Sequence, residues 1–545
     1  MEKATSHGLE GGEEPKMMSH HIEDAKEATN KEHSLTLRES FKAYRCAVFW
    51  SACISLSCVM EGYDYNLISS LYAFPPFQEK YGVPLENDGY TITANWQLGV
   101  SIAANGGMII GGYCAGYLVE YTGYRKLFIG AYCFLTGFIF IPFFAPSIEV
   151  LFAGELLCGL CWGVFSGLAA AYGSEILPAA LRTYLLMFVN MCWAIGNIIS
   201  AGTLYGFVGN QTEWAYRVPF AIQWVWNIPL ALLVYFAPES PWWLIRKDRL
   251  EEAEKTAGRL GDKNMGVDAK STVAMMVHTN ELERQMDTGT SYWHCFKGVD
   301  RRRTEIACMA WLAQAATQFG IPGYLTYFFQ LAGLPVSASY KLNIGQTAIG
   351  LFANMVGQVN GRFFGRRTLY LWGLGAVGVE FFLVGFCSFA ETNASRWVQA
   401  VILLLWSFTY SSTIGPTGYL LPSEISATRL RAKTVSMGRN IFYVLFIISM
   451  AVSPYMLNET EGNWKGKAAF VTAGFSVFWW VWAFFRLPES KGRTYEELDI
   501  LFANRVPARD FSKFEVDPYA DEEHVLRLNT STRVNKLTKL FRRSN

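Results

Sequence analysis

The chain contains one half-length unit twice, because three short motifs recur at almost the same offset. The motifs are a glycine followed by basic residues, a Ser-Glu-Ile with an arginine seven residues after the glutamate, and a Pro-Glu-Ser. The second copies lie 365 − 123 = 242, 423 − 174 = 249 and 488 − 238 = 250 residues after the first. The copies are Gly123-Tyr124-Arg125-Lys126 and Gly365-Arg366-Arg367, Ser174-Glu175-Ile176 with Arg182 and Ser423-Glu424-Ile425 with Arg431, and Pro238-Glu239-Ser240 and Pro488-Glu489-Ser490. We therefore expect a fold with two equivalent halves.

Both halves have the composition of membrane-embedded helices. Hydrophobic residues make up 51% of the 545 residues, and aromatic residues make up 15%. Apolar runs long enough to cross a bilayer recur, and such runs span as helices because a helix satisfies its own backbone hydrogen bonds. The runs lie near 45–69, 96–118, 127–147, 150–172, 184–206, 217–236, 306–330, 342–361, 368–390, 397–421, 437–457 and 467–487. The predicted fold is an all-α membrane protein with about twelve transmembrane helices in two six-helix, pseudo-symmetric bundles, an arrangement typical of secondary transporters.

The same pattern divides the chain into five segments. The first and last segments are polar, and the connection between the two halves is long and charged. The predicted segments are a disordered N-terminal tail at 1–44, an N-terminal bundle at 45–236, a central loop with short helices at 237–305, a C-terminal bundle at 306–487 and a polar tail at 488–545.

The distribution of charge predicts how these segments are oriented. Basic residues cluster in alternate connections, and connections rich in lysine and arginine stay in the cytoplasm. Both termini and the central loop are then cytoplasmic. The Asn-X-Ser/Thr sequons, which mark glycosylated outer loops, fall in connections assigned to the opposite side, at Asn210, Asn393 and Asn458. We expect a glycosylated multi-pass protein of the cell membrane whose first span acts as its insertion signal.

Several kinds of chemistry find no support in the sequence. All seven histidines lie outside the apolar runs, so a metal-dependent membrane enzyme lacks its ligands. A GxxxxGK[ST] phosphate loop, which an ATP-driven pump needs, is absent from the sequence. Cys158-Gly159-Leu160-Cys161 lies within an apolar run, where small residues pack helices together. We expect no enzyme activity, cofactor, metal or nucleic-acid partner, but a monomer whose partners are a small solute, protons and the lipid bilayer.

Ionisable residues inside the apolar runs are candidates for a transport pathway, because charges are costly in a bilayer. Glu61 and Asp64 lie three residues apart in the first run and so share one helix face. Burial and mutual repulsion favour protonation of such carboxyls, which lets one of them carry a proton. Alternatives remain for each candidate: a packing salt bridge for the first-run acids, contact with headgroups for Glu155, and an anchor at the membrane surface for Arg439. Glu380 fits a packing role better.

Polar amides form the second class of candidates. Asn190 and Asn197 lie seven residues apart, on one face of the fifth run, and Gln314 and Gln318 lie in the seventh. An amide offers both a donor and an acceptor, so these four side chains are suited to binding sugar hydroxyls. The alternative is that they join helices to one another.

The repeated motifs resemble those of the sugar porter branch of the major facilitator superfamily over about residues 45–500. Within that family the chain resembles fungal α-glucoside (maltose) permeases. The residues that carry this closer resemblance are Glu61-Gly62-Tyr63-Asp64, Phe77-Gln78 with Tyr81-Gly82, Cys158-Gly159 with Trp162-Gly163, Pro241-Trp242-Trp243-Leu244, Arg301-Arg302-Arg303-Thr304 and Thr326-Tyr327-Phe328-Phe329. The resemblance implies proton-coupled import of a sugar by alternating access, with Asp64 as the coupling acid.

The chain departs from the family pattern at three positions. Glu155 stands where proton-linked members typically have an arginine, and Met108 stands where α-glucoside permeases have a glutamate. Arg439 matches an arginine of those permeases, so Glu155 or Glu61 is left to balance its charge. Ile414 replaces a tryptophan of many monosaccharide porters, which fits a different or larger ligand. Two alternatives to α-glucoside import are a porter for another solute, such as a secondary metabolite, polyol or monosaccharide, and a non-transporting nutrient sensor.

The repeated charged motifs predict a gate on the cytoplasmic side. Their acids and bases sit at matching helix ends, where salt bridges between helices close one side of the transporter and break when it opens. The alternative is that they only fix topology and stabilise helix ends. The predicted gate residues are Arg125, Glu175, Arg182, Arg366, Glu424 and Arg431.

Overall fold

The structure is a computed structural model. It describes residues 36–72, 74–84, 90–207, 210–265, 267–285, 291–324, 336–390, 392–457, 462, 464–516 and 526–528. The helices of the N-terminal half are α1 Leu37–Ala43, α2 Arg45–Ser55, α3 Cys58–Leu71, α4 Pro75–Tyr81, α5 Ala94–Thr122, α6 Tyr124–Phe138, α7 Phe140–Phe144, α8 Ile148–Ile176, α9 Ala179–Phe207 and α10 Trp214–Tyr235. Residues 36–43, predicted as part of a disordered tail, instead include helix α1, which begins with a Thr36–Glu39 capping box.

The rest of the described chain is also mainly helical. The central connection contains α11 Pro241–Arg246, α12 Leu250–Leu260 and α13 Ala269–Gln285. The C-terminal half and its tail contain α14 Asp300–Ala316, α15 Val336–Phe363, α16 Arg366–Cys387, α17 Asn393–Ser412, α18 Ile414–Ile425, α19 Arg431–Leu457, α20 Ala469–Arg486 and α21 Tyr495–Ala503. Short 3₁₀ turns lie at Lys263–Met265, Tyr292–Phe296, Ile321–Tyr324, Lys465–Ala468 and Ala508–Lys513. Two antiparallel ribbons pair β1 Val83–Pro84 with β2 Tyr90–Thr91, and β3 Phe514–Val516 with β4 Leu526–Leu528.

Ten helical segments of the described chain are long and apolar enough to cross a membrane. We number them spans 1–6 and 9–12. Span 1 is α2 with α3, span 3 is α6 with α7, and span 10 is α17 with α18, whereas α5, α8, α9, α10, α16, α19 and α20 are single spans. Helices α14 and α15 take the places of spans 7 and 8. Helix α14 packs against spans 10 and 11, and α15 packs against spans 5 and 10.

Small residues let neighbouring spans approach closely. A Cβ placed on Gly107 of span 2 would lie 2.2 Å from the Leu156 carbonyl oxygen of span 4, and one on Gly159 would lie 2.3 Å from the Ala104 carbonyl oxygen. The Cys158-Gly159-Leu160-Cys161 segment therefore packs helices, as the sequence predicts. Glu380 of span 9 accepts a hydrogen bond of 2.6 Å from the Thr409 hydroxyl of span 10. This contact between spans agrees with its predicted packing role.

The two halves meet along two seams. Span 2 packs against span 11, and span 5 packs against α15. The repeated motifs, α11–α13 and α21 all lie at one end of the molecule, which we call the motif face. The seams place spans 1, 2 and 5 of one half beside α14, α15 and span 11 of the other, and the predicted residues Glu61, Arg439, Asn190 and Gln314 lie there.

Candidate functional site

Asp64 and Glu155 form a buried carboxyl pair inside the N-terminal half. Asp64 of span 1 is 3% exposed and Glu155 of span 4 is fully buried. Their carboxyl groups are neighbours, and Gln223 of span 6 donates to Asp64 Oδ1 at 2.6 Å. The alternative that Glu155 reaches lipid headgroups is wrong, because protein surrounds its carboxyl. Two adjacent carboxyls without a cation favour a shared proton.

The other acid of span 1 forms an ion pair across the two halves. Glu61 Oε1 lies 2.6 Å from Arg439 Nη2 of span 11. The Tyr443 hydroxyl donates to the same oxygen at 2.8 Å and accepts from Arg439 Nε at 3.0 Å. The guanidinium carbon lies 4.4–5.3 Å from the centroids of four rings, those of Trp311, Tyr419, Phe442 and Tyr443. Arg439 is therefore buried, and the interpretation as an anchor at the membrane surface is wrong.

The two acids of span 1 thus have different partners. Glu61 faces Arg439 of the C-terminal half, whereas Asp64 faces Gln223 and Glu155 of its own half. The expected repulsion between Glu61 and Asp64 is replaced by repulsion between Asp64 and Glu155. Of the two acids considered as balancing Arg439, it is Glu61 that contacts it.

Three of the four predicted amides converge on the start of α18. Gln314 Nε2 donates to the Gly415 carbonyl at 3.0 Å, and a Cβ on Gly415 would lie 3.1 Å from Asn190 Nδ2. Gln318 donates to the Tyr410 hydroxyl at 2.7 Å. These amides face one another across the interface between the two halves.

A fifth amide, Asn354 of α15, completes this group. Asn190 Nδ2 donates to Asn354 Oδ1 at 2.5 Å, which links span 5 of one half to α15 of the other. Asn197, by contrast, donates to the Trp193 carbonyl of its own helix at 3.1 Å, and its backbone carbonyl accepts from Asn66 at 3.1 Å. The structure therefore brings Asn190 and Gln314 together but leaves Asn197 about two turns away.

The motif face carries a charged network with different partners in the two halves. In the C-terminal half, Arg366 Nη2 and Glu424 Oε1 form a buried salt bridge of 2.8 Å, and the Ser490 hydroxyl donates to Glu424 at 2.7 Å. Arg366 also donates to the Thr183 hydroxyl of span 5. This contact joins the two halves.

In the N-terminal half, Glu175 collects partners from both halves. It accepts from the Tyr124 hydroxyl at 3.0 Å and from Arg246 Nη2 at 3.3 Å, and Arg431 Nη1 lies 3.9 Å away. Ser240 donates to its other oxygen. Glu175 and Arg431 were expected within one network, and the contact between them joins N- and C-terminal motifs.

The last two predicted gate arginines make other contacts. The backbone N–H of Arg125 donates to Glu239 Oε2 at 3.2 Å, and its guanidinium lies 5.3 Å from the ring centroid of Tyr235. Burial raises the pKa of the Glu239 carboxyl, and its backbone hydrogen bonds oppose that shift. The Arg182 guanidinium lies 3.9 Å from the centroid of the Tyr495 ring. Within the described ranges neither arginine has a carboxylate at ion-pair distance.

The predicted glycosylation sites differ in what the structure describes. Asn210 lies just after span 5 in a turn where its side-chain oxygen accepts from the Thr212 backbone at 2.9 Å. Asn393 is the first residue of α17. Asn458 lies outside the described residues.

Sequence reasoning missed four residues of these clusters: Gln223, Asn354, Tyr443 and Tyr495. Gln223 and Asn354 are polar residues inside apolar runs, so the signal that selected the other amides also applies to them. Tyr443 lies one helical turn after Arg439, which places both on one face. Tyr495 carries no such signal, because its role depends on tertiary packing.

Relatives of this chain include sugar transporters. The family profile described as "Sugar (and other) transporter" matches residues 50–502. A maltose permease of Saccharomyces cerevisiae is 37% identical over 517 residues, which are 93% of this chain and 84% of the relative. The general alpha-glucoside permease of the same yeast is also 37% identical, over 91% of this chain and 82% of its own length.

Solved structures agree on the fold. The proton:xylose symporter XylE bound to 6-bromo-6-deoxy-D-glucose superposes with a TM-score of 0.73 at 19% identity, over 84% of this chain and 100% of that chain. The inward open conformation of XylE from E. coli gives a TM-score of 0.58 at 20% identity, over 83% of this chain and 98% of that chain. With its twelve-helix fold and a profile match over most of its length, the chain is a multi-pass membrane transporter that belongs to the sugar porter family of the major facilitator superfamily.

Proposed function

We propose that the protein imports an α-glucoside such as maltose together with protons, by alternating access. The observation that carries the proposal is the buried Asp64–Glu155 pair, in a protein whose two halves also meet at an amide-lined interface. A protonatable pair supplies the coupling, and amides supply hydroxyl recognition. The similarity to maltose and general α-glucoside permeases at 37% identity supports the substrate class.

Asp64 is the proposed proton carrier, and Glu155 is its partner. When the pair is deprotonated, the two negative charges repel each other in a region of low dielectric, so uptake of a proton from outside is favourable. Gln223 can donate to the Asp64 carboxyl in either protonation state, which keeps it in place. Release follows when the pair becomes accessible from the other side.

Glu61 and Arg439 are the proposed link between this step and movement of the halves. Their ion pair crosses from span 1 to span 11, so separation of these spans breaks it. A broken buried pair leaves charges without partners, which is costly. The state of span 1 therefore affects the relative stability of the two conformations.

Sugar hydroxyls are proposed to bind Asn190, Gln314 and Gln318, together with Asn354. In the present conformation these amides bond to each other and to backbone carbonyls. A bound sugar exchanges those hydrogen bonds for bonds to its hydroxyls. Asn197, two turns along span 5, is proposed to contact only a longer ligand such as a disaccharide.

The motif face is proposed to be the cytoplasmic side, so that both termini lie in the cytoplasm. The protein is proposed to act as a monomer in the plasma membrane. On this face the described charged contacts between the two halves are formed. Arg366 donates a hydrogen bond to Thr183, and Arg431 lies beside Glu175. The conformation is then one in which the inner gate is shut. Asn210, Asn393 and Asn458 are proposed as glycosylation sites on the outer side.

An uptake panel tests the proposed substrate. The protein is expressed in a host without α-glucoside transport, and labelled maltose, glucose, a polyol and sucrose are compared while external pH is recorded. We expect saturable maltose uptake accompanied by alkalinisation of the medium. Uptake of the polyol or glucose alone would identify a porter for another solute. Met108, which stands where α-glucoside permeases have a glutamate, is the reason to include these solutes. Surface expression without uptake of any solute would favour a sensor.

A further inference from the structure

A tyrosine of the C-terminal tail lies between two arginines of the motif face. The guanidinium carbons of Arg182 and Arg431 each lie 3.9 Å from the centroid of the Tyr495 ring. Trp242 of α11 packs edge-on against the same ring, with centroids 5.9 Å apart. All three central residues are buried, with Arg431 at 0% and Arg182 and Tyr495 at 5% exposure.

The two arginines are equivalent positions of the duplicated unit. Their separation, 431 − 182 = 249 residues, is the offset of the Ser-Glu-Ile motif to which both belong. Arg182 therefore moves with the N-terminal half, and Arg431 moves with the C-terminal half. Tyr495 is a bridge between corresponding points of the two halves.

Few other interactions balance these cations. Within the described residues, no nitrogen of the Arg431 guanidinium has a hydrogen bond, and its carboxylate contact, Glu175, is 3.9 Å away. Arg182 Nε also lacks a hydrogen bond, and Arg182 Nη2 reaches the Leu177 carbonyl at 3.5 Å. A desolvated guanidinium over an aromatic face is strongly attracted to it. The tyrosine ring is thus a main stabiliser of both charges.

Tyr495 is fixed to the C-terminal half. It is the first residue of α21, whose start is set by a Thr494–Glu497 capping box. Asp499 of α21 forms a buried salt bridge of 2.5 Å with Arg303 at the start of α14. From this anchored helix the Tyr495 hydroxyl reaches the other half and donates to the Ser174 carbonyl at 2.8 Å.

We propose that Tyr495 is a positioning residue that holds the motif face shut, by clasping Arg182 and Ser174 of the N-terminal half to Arg431 of the C-terminal half. The inference rests on the proposed alternating access. When the motif face opens, Arg182 and Ser174 leave the ring, while Arg431 stays with it because both belong to the C-terminal half. The clasp therefore stabilises only the closed conformation, and its strength sets how often the inner side opens.

A distance measurement tests the clasp without depending on transport. Spin labels are placed at Lys126→Cys and Arg301→Cys, exposed positions on different halves, after replacement of the exposed native cysteines Cys46, Cys114 and Cys133. Tyr495→Leu should raise the ratio of open to closed populations about tenfold, because the contacts that exist only in the closed state are lost, namely the cation–π contact with Arg182 and the hydrogen bond to the Ser174 carbonyl. Tyr495→Phe keeps the ring and its contact with Arg182, loses only the hydrogen bond to Ser174, and should change the ratio less, by about twofold.

Two results would overturn the clasp: an unchanged distance distribution in Tyr495→Leu, or an equal change in Tyr495→Phe. Where Tyr495→Leu lowers the amount of folded protein, Tyr495→Met is measured instead. Transport provides a second readout, since a less stable closed gate should weaken the apparent affinity for external sugar more than it lowers the maximal rate. If wild-type protein moves no sugar but the distances change as expected, the proposed function fails and the clasp stands.

Discussion

The Glu61–Arg439 pair is a residue-level contact with a large expected energetic effect. Both groups are buried, and removing one partner of such a pair leaves an uncompensated charge in a region of low dielectric. Replacing both partners by neutral groups of similar shape avoids that penalty. The pair should therefore behave as a unit under mutation.

A double-mutant cycle tests this unit. Glu61→Gln and Arg439→Gln should each lower the stability of the purified protein by about 3–5 kcal/mol, because a charge is left unpaired. The double variant should be less destabilised than the sum, with a coupling energy of about 1–3 kcal/mol. The stability of the wild type, the two single variants and the double variant is measured by thermal unfolding in detergent.

The matched control is the cycle of Glu155→Gln with Arg439→Gln. Glu155 contacts Asp64 rather than Arg439, so these two changes should add within about 0.5 kcal/mol. Strong coupling in the control cycle, together with additivity in the first, would assign Arg439 to Glu155 instead.

The amides permit a second test at the same scale. Gln314→Ala, Asn190→Ala and Asn354→Ala should each raise the apparent KM for sugar about tenfold, since an unpaired buried hydroxyl costs about 1–3 kcal/mol. Surface abundance should stay constant. Uptake kinetics measured beside surface labelling separate this outcome from a helix-joining role, in which abundance falls and KM does not move.

The sequence was enough to predict which types of residue belong to the candidate site, but not which residues contact one another. Rare charges and amides in apolar runs select Asp64, Glu61, Glu155 and Arg439 correctly as buried groups. Helical periodicity relates residues within one span only, so it suggested that Glu61 and Asp64 act on each other. The contacts of Glu61 with Arg439 and of Asp64 with Glu155 depend on how spans pack, which one sequence does not reveal.

At the scale of elements, close packing of spans 2 and 4 leads to a prediction with a neighbouring control. A Cβ at Gly107 would lie 2.2 Å from the Leu156 carbonyl oxygen, whereas a Cβ at Gly106 meets nothing within 4 Å. Gly107→Ala should therefore lower stability by about 1–3 kcal/mol through overpacking, and Gly106→Ala should leave it unchanged. Equal thermal stability of the two variants would contradict the close approach of these spans.

Docking of α21 should depend on pH. His278 Nδ1 of α13 lies 2.9 Å from the buried Glu496 carboxylate of α21, and this hydrogen bond raises the pKa of His278 above its usual value against the opposing effect of burial. A raised pKa means that the protonated histidine stabilises docking below about pH 6.5, and that this contribution is lost as the pH rises through the raised pKa.

Hydrogen exchange of α21 amides measures this effect. After correction for intrinsic rates, protection should fall between about pH 6 and pH 8 as the imidazole loses its proton. In His278→Asn the protection should be lower at pH 6 and nearly flat over this range. An equally steep loss of protection in that variant would assign the pH dependence to another group.

The elements themselves could largely be predicted from the sequence. Length and apolar composition located the spans because a bilayer demands long helices. Two helices differ from the predicted bounds. Helix α14 begins at Asp300 and carries Arg301, Arg302 and Arg303 in its first turn, ahead of the run predicted to start at 306, and it packs as span 7. Helix α1, inside a segment predicted as disordered, has a local capping signal that the polar composition of the segment masked.

At the scale of the whole molecule, the two halves are related by duplication but joined by unequal contacts. Arg366, in the C-terminal basic motif, bonds to Glu424, whereas its N-terminal counterpart is Tyr124, at 366 − 124 = 242 residues earlier. Glu175 therefore forms ion pairs with Arg246 and, across the interface, with Arg431. The closed motif face depends on contacts between halves that the repeat alone does not predict.

Proton coupling through Asp64 is the central claim, and proton flux in proteoliposomes tests it most directly. With a pH-sensitive dye inside, an inward maltose gradient should acidify the lumen of vesicles that contain the wild-type protein. Asp64→Asn should retain maltose counterflow but move no protons, because the neutral amide stands in for the protonated acid. Maltose-driven acidification that persists in Asp64→Asn, or wild-type maltose transport without any acidification, would contradict the claim.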